Sequence, residues 1–172
     1  SLFHHFQNNV FHALFAQGGA DAQIASAPAE AAQVDTKASR VYVFVDRGRL
    51  GHQHAVEGLI QSGTIRLGAV EDAGKIVFDM SSFTADTDAA RKYVGIEHDV
   101  EESEKKKVTS TMRGSKVLNV ERYPTATFTI ESAERLATKT EAGHPQYRLQ
   151  GRFTLCGKTR PLSVTVAGDE QQ

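Results

Sequence analysis

The sequence predicts an all-β fold, an antiparallel up-and-down barrel, from three observations. Several segments alternate apolar and polar residues with a period of two, which is typical of antiparallel strands wetted on one face. Glycine-containing turns separate them at near-regular spacing, which indicates a barrel or a sandwich. Gly58 and Gly151 lie on or near the apolar face, where glycine leaves room for a ligand or a sharp bend, and this favours the barrel. The predicted strands are residues 41–45, 55–68, 75–80, 125–133, 147–155 and 161–167.

Length and composition fit one domain of ordinary globular character. The chain has 172 residues and a formal net charge of −1, so neither a basic surface for nucleic acid nor an acidic tail is indicated. The single cysteine excludes a disulfide within the chain. No apolar run approaches the ~20 residues of a membrane-spanning helix. The chain begins at Ser1, which leaves a removed signal peptide and export open.

Residues 1–37 are predicted to form an amphipathic helix over 1–17, followed by a connector, ahead of a barrel domain at 38–170. Apolar residues at three- and four-residue spacings predict the helix. Such a helix is too apolar to stay free in water, so we expect it to pack on the domain exterior, plug the barrel, contact a membrane or form a homodimer arm. The residues of this apolar stripe are Phe3, Phe6, Val10, Phe11, Leu14 and Phe15.

Two short helices are predicted between the third and fourth of these strands. Thr87 or Asp86 can cap the segment DAARKYV, which stops at Gly95. A second helix is expected to start near Asp99 and Glu102, which are spaced as a capping box, and to end at Gly114.

Alternation along the strands predicts which apolar side chains point inward. On alternation alone, a core filled by these side chains is the better interpretation than a cavity. The predicted inward residues are Val43, Val56, Ile60, Ile76, Phe78, Phe128, Ile130, Leu149, Phe153, Leu155, Val164 and Val166.

Three phrases in the sequence resemble one known family in order and spacing. VLNVERYPTATFTI (117–130) resembles the FFDVxxYPxxxF segment of the YceI-like family, and YRLQGRFTLCGKTRPLSVTV (147–166) resembles its GxLTLHGVTKP hairpin. AVEGLIQSGTI (55–65) is similar to its VxGxFxxxxGxI segment. The likeness covers roughly residues 38–167, and the joined YP and GxFTL phrases are its most specific part. Departures are Cys156 in place of His, Lys158 in place of an apolar residue, Leu118 in place of an aromatic, and a long insert at 86–107.

The resemblance implies a lipocalin-like barrel, periplasmic or secreted, that binds a polyisoprenoid, an isoprenoid quinone or another long-chain lipid. It brings no catalytic residues and no cofactor other than the bound lipid. About eight strands enclose a cavity just large enough for one such ligand, and each buried CH₂ contributes about 0.8 kcal/mol. Under this interpretation the inward residues line the cavity and polar groups at the rim bind the head. The candidate rim groups are His52, His54, Arg113, Tyr123 and Arg152.

Two other interpretations stay open. On an extended strand the imidazoles of His52 and His54 would share a face, which predicts a metal site or a metal-dependent enzyme if further ligands join them. Possible further ligands are His98, His144, Asp46 and Cys156. The other interpretation is a solid-core interaction module that dimerises through the N-terminal helix.

Overall fold

The computed structural model describes the backbone of residues 12–17, 31–46, 52–97 and 99–170, and the side chains of 31–46, 52–97 and 99–167. Eight strands and two helices lie in these ranges. In chain order they are β1 (His12–Gln17), β2 (Ala32–Gln33), β3 (Arg40–Val45), β4 (His54–Ile65), β5 (Gly74–Ala85), α1 (Asp88–Val94), α2 (Glu102–Arg113), β6 (Thr125–Lys139), β7 (Pro145–Leu155) and β8 (Lys158–Glu170).

The strands form one sheet in the order β2-β4-β3-β1-β8-β7-β6-β5, and β4 also pairs with β5. Every pairing is antiparallel except that of β1 with β8, which is parallel. The predicted all-β class is therefore confirmed. Closure of the sheet into a barrel is not confirmed and stays a prediction.

The predicted N-terminal helix is not confirmed, because residues 12–17 form strand β1 instead. Ala13 pairs with Val41 of β3, and Leu14 pairs with Ala167 of β8. A short apolar run fits a helix or a strand equally well by spacing, and pairing with strands on both sides decides for the strand. The rest of the predicted helix, with Phe3, Phe6 and Phe11, lies outside the described residues, as do the side chains of Leu14 and Phe15.

Alternating burial explains why the strands form where the sequence predicts them. In β7, Tyr147 and Leu149 are buried, whereas Arg148 and Gln150 between them are exposed. Burying one face removes apolar side chains from water. Pairing with β6 on one edge and β8 on the other gives the backbone N–H and C=O groups of β7 their hydrogen-bond partners. The apolar faces of the strands meet in one large core cluster.

The two glycines of the apolar face are explained by close packing. A Cβ on Gly58 would come within 2.6 Å of ring carbons of Phe83, so the glycine makes room for that ring. A Cβ on Gly151 would collide with the backbone of Thr129 and Ile130. At both points the space is occupied by this chain itself, so close packing explains the two glycines and leaves no room there for a ligand.

Both predicted helices are present. Thr87 caps α1 by accepting a hydrogen bond from Ala90 N, and Gly95 ends it with φ of 76°. Helix α2 ends at Gly114 as predicted, but it begins one residue after Glu101, with no side-chain cap in place of the expected capping box.

Candidate functional site

The predicted inward residues all lie in or against the large core cluster. Ten of the twelve are buried, and the other two, Phe153 and Val164, are partly buried and pack against the cluster. The rings of Phe78 and Phe153 meet edge to face, 6.0 Å apart. The alternation in the sequence therefore identified the apolar face of the sheet.

One end of this apolar face is covered by α2 and the segment that follows it. Leu118 is buried in the core cluster, and Val108, Met112 and Val120 pack against it from outside. The backbone N of Leu118 donates to Met112 O at 3.0 Å, which folds the segment back along the helix. The insert between β5 and β6 thus forms part of the wall around the core.

The second half of β5 lies beside α2 instead of beside β6. The β5–β6 ladder runs only as far as the pairing of Asp79 with Thr125. Beyond it, Ala85 N donates to Thr109 Oγ1 at 3.0 Å, and Arg113 Nε donates to Phe83 O at 2.8 Å. Side chains of α2 therefore replace a neighbouring strand along this edge.

A cleft of about 790 Å³ lies between α2, the end of β5 and residues 114–121. Ala85 and Val120 line it, and both also belong to or pack against the core cluster. Its charged side chains have both signs and are Glu102, Lys105, Lys106, Arg113 and Glu121. The cleft thus adjoins the apolar core and presents a mixed polar lining.

Four of the five candidate rim groups lie towards one end of the sheet. His52 is exposed just before β4, and His54 opens that strand. Arg113 lies against the last residues of β5, and Tyr123 is half-buried just before β6. Arg152 lies on the exposed face of β7, away from the core. The structure therefore groups the first four loosely and separates Arg152 from them.

Comparison with known proteins decides the family. A family profile described as the YceI-like domain matches residues 33–171, which is most of the chain. The chain belongs to the YceI-like family. No curated protein and no solved structure matches it. No helix in the described ranges is long and apolar enough to cross a membrane.

A buried charged group of the YceI-like domain was missed from the sequence. Asp86 is fully buried, and its carboxylate accepts a hydrogen bond from Ala55 N at 3.1 Å and lies 2.7 Å from His54 Nδ1. Arg91 of α1 is also buried and forms an ion pair with Asp86 at 3.5 Å. The sequence predicted Asp86 only as a possible helix cap. In the structure its φ is 56°, a left-handed backbone conformation that Asp adopts more readily than most residues.

This pairing bears on the predicted metal site. The Nδ1 atom of His54 already faces the Asp86 carboxylate, and His52 is exposed. Among the described residues, no group of three or more His, Cys, Asp or Glu side chains could hold a metal ion. Within the described part of the YceI-like domain, His54 thus contacts a buried carboxylate that also pairs with Arg91, which is a structural hydrogen-bond network.

Cys156, which stands where the family resemblance led us to expect His, lies in the turn between β7 and β8. Burial raises the pKa of its thiol, and the positive charge of Lys158 opposes part of that rise. The Sγ atom donates to Leu118 O at 3.2 Å. The protonated thiol thus ties this turn to the segment that covers the core.

Proposed function

We propose that this YceI-like domain binds one long apolar ligand inside a closed barrel. The ligand would be a polyisoprenoid, an isoprenoid quinone or another long-chain lipid. Family membership carries this proposal, because the matched region includes every strand from β3 to β8. We further propose that the protein carries or stores the lipid in the periplasm or outside the cell and performs no catalysis.

Strand pairing supports closure of the barrel. β4 pairs with β3 along one edge and with β5 along the other, while β1 joins β3 to β8. A sheet whose strands pair in such a circuit has no long free edge, which is the arrangement of a barrel.

The apolar face supports the choice of ligand. Buried side chains such as Ile60, Phe128 and Leu149 come from different strands and meet in one cluster. A long hydrocarbon chain in contact with such side chains gains about 0.8 kcal/mol for each CH₂ removed from water, less the entropy lost when the chain is ordered. Such a site selects by length and apolarity and needs few polar contacts.

Extraction of the purified protein with organic solvent, followed by mass spectrometry, tests the proposal. We expect a long-chain lipid in a molar ratio near one to the protein. Ile130→Phe, which fills volume on the inner face of β6, should lower that ratio or shorten the bound chain. Thr129→Phe on the exposed face of the same strand is the matched control and should leave it unchanged. Protein that is free of lipid and takes up none when incubated with geranylgeraniol would contradict the proposal.

A further inference from the structure

We propose that the apolar ligand enters through the side of the sheet, at the seam between β5 and β6 that α2 covers. This inference rests on the proposed function, since it requires a ligand in the interior. The seam is the stretch of β5 from Met80 to Ala85, together with the face of α2 that lies along it.

The seam is the place where the backbone ladder between neighbouring strands is interrupted. After Asp79 pairs with Thr125, only Met80 N reaches the chain ahead of β6, by donating to Pro124 O at 2.9 Å. By contrast, β7 and β8 stay paired from Gln146 with Ala167 to Leu155 with Lys158. Separating that ladder would break many backbone hydrogen bonds, whereas opening the seam breaks few.

Helix α2 is attached to the seam by side chains. Thr109 Oγ1 accepts from Ala85 N, and Arg113 donates to Phe83 O and to Thr84 Oγ1. All three contacts can break while the helix keeps its own backbone hydrogen bonds. The helix can therefore leave the seam as a rigid unit.

Packing of α2 on the core is also shallow. No residue of α2 is buried, and its apolar contacts to the core come from Val108 and Met112, both half-buried. The strands on either side instead contribute fully buried residues such as Ile76 and Ile130. Displacing α2 therefore exposes little apolar surface of the helix itself, which lowers the cost of the movement.

The cleft outside the seam supplies the path. Ala85 belongs to the core cluster, Val120 packs against it, and both line the cleft, so the cleft directly adjoins the core. Displacing α2 would open the core to the cleft. The charged residues Lys106, Arg113 and Glu121 in the cleft would hold the polar end of an amphiphile while its tail passes inward.

A reversible disulfide across the seam tests the inference. Ala85 N and Thr109 Oγ1 lie 3.0 Å apart, so Ala85→Cys with Thr109→Cys sets one thiol on each side of the seam, and thiol titration shows whether the two have joined. Cys156→Ser removes the native thiol. The matched control is Thr154→Cys with Thr159→Cys, which links two residues already paired across the β7–β8 hairpin.

Uptake of the fluorescent polyene cis-parinaric acid is followed by stopped flow for each variant, oxidised and reduced, with disulfide formation verified by thiol titration. We expect the oxidised seam variant to take up the probe about tenfold or more slowly than the same variant after reduction, and the hairpin disulfide to have no effect. Equal rates for the oxidised and reduced seam variant would contradict entry through the seam, without contradicting the proposed function. A reduced protein that binds no probe would overturn both.

A second variant tests the inference independently, in case the protein with the two new cysteines does not fold. Thr109→Val keeps the shape of the side chain and removes the acceptor of the Ala85 N–H bond. Loss of one hydrogen bond that holds the closed seam should speed uptake by about twofold to tenfold. Ser103→Val, on an exposed residue of α2, is the matched control and should leave the rate unchanged. An unchanged rate in Thr109→Val would overturn the inference.

Discussion

Gly58→Ala is expected to destabilise the fold through a single contact with Phe83. The added Cβ would lie 2.6 Å from Cδ2 and Cζ of that ring, whereas ordinary contacts begin at 3.4 Å. Because Cε2 of the ring lies nearer still, the ring would have to move by about 1 Å to reach ordinary contact. Phe83 is buried, and its carbonyl accepts the hydrogen bond from Arg113, so the shift disturbs the core and the seam together.

Overpacking of this kind costs about 1–3 kcal/mol. Replacing a strand glycine returns about 0.5–1 kcal/mol, because glycine loses more backbone entropy on folding. We therefore expect a net loss of about 1–2 kcal/mol in the free energy of unfolding. Urea unfolding followed by circular dichroism measures it, and the slope of the transition should stay unchanged.

The double variant decides whether Phe83 is the cause. In a Phe83→Ala background the ring is absent, so Gly58→Ala should cost nothing or even stabilise the protein. The coupling energy between the two sites should reach about 1 kcal/mol or more. Equal costs of Gly58→Ala in the two backgrounds would refute the packing argument.

Three further predictions follow from other close contacts. Gly151→Ala should cost about 2–3 kcal/mol in urea unfolding, because the added Cβ meets the immobile backbone at Thr129; a loss no larger than that of the exposed control Gln150→Ala would contradict this. Asp86→Asn should cost about 3–5 kcal/mol, since it leaves the Arg91 charge buried without its carboxylate, and a change below 1 kcal/mol in thermal or urea unfolding would refute the pairing. Because burial raises the pKa of the Cys156 thiol, its thiolate fraction is lowered at neutral pH. Its reaction with iodoacetamide should therefore accelerate at higher pH than that of free cysteine, and a lower midpoint would show the reverse shift.

Local signals made most of the fold predictable. The β7–β8 hairpin follows from clean alternation around a glycine turn, and α1 follows from the cap at Thr87 and the stop at Gly95. β5 was predicted to end at Met80, but it runs on to Ala85 because β4 pairs with its last residues and α2 accepts a hydrogen bond on the other edge, and no local pattern reveals either contact.

Features that depend on distant parts of the chain were not predictable in this way. Strand β1 forms because β3 and β8 offer it unpaired edges, and its local spacing indicated a helix. The contact of Asp86 with His54 requires the end of β5 to lie against the start of β4, 32 residues earlier in the chain. The inward residues of the candidate site were predictable from period two, whereas the cleft beside α2 arises from tertiary packing alone.

The parallel pairing of β1 with β8 has a consequence for biogenesis. Leu14 and Ala167 stand near opposite ends of this sequence, so their pairing closes a very long loop. Nearly all of this sequence must have been synthesised before these two strands can meet, and until then the edge of β1 that pairs with β8 stays open to other chains. Folding dominated by such distant contacts is slow, which makes the nascent protein dependent on protection from aggregation during that interval.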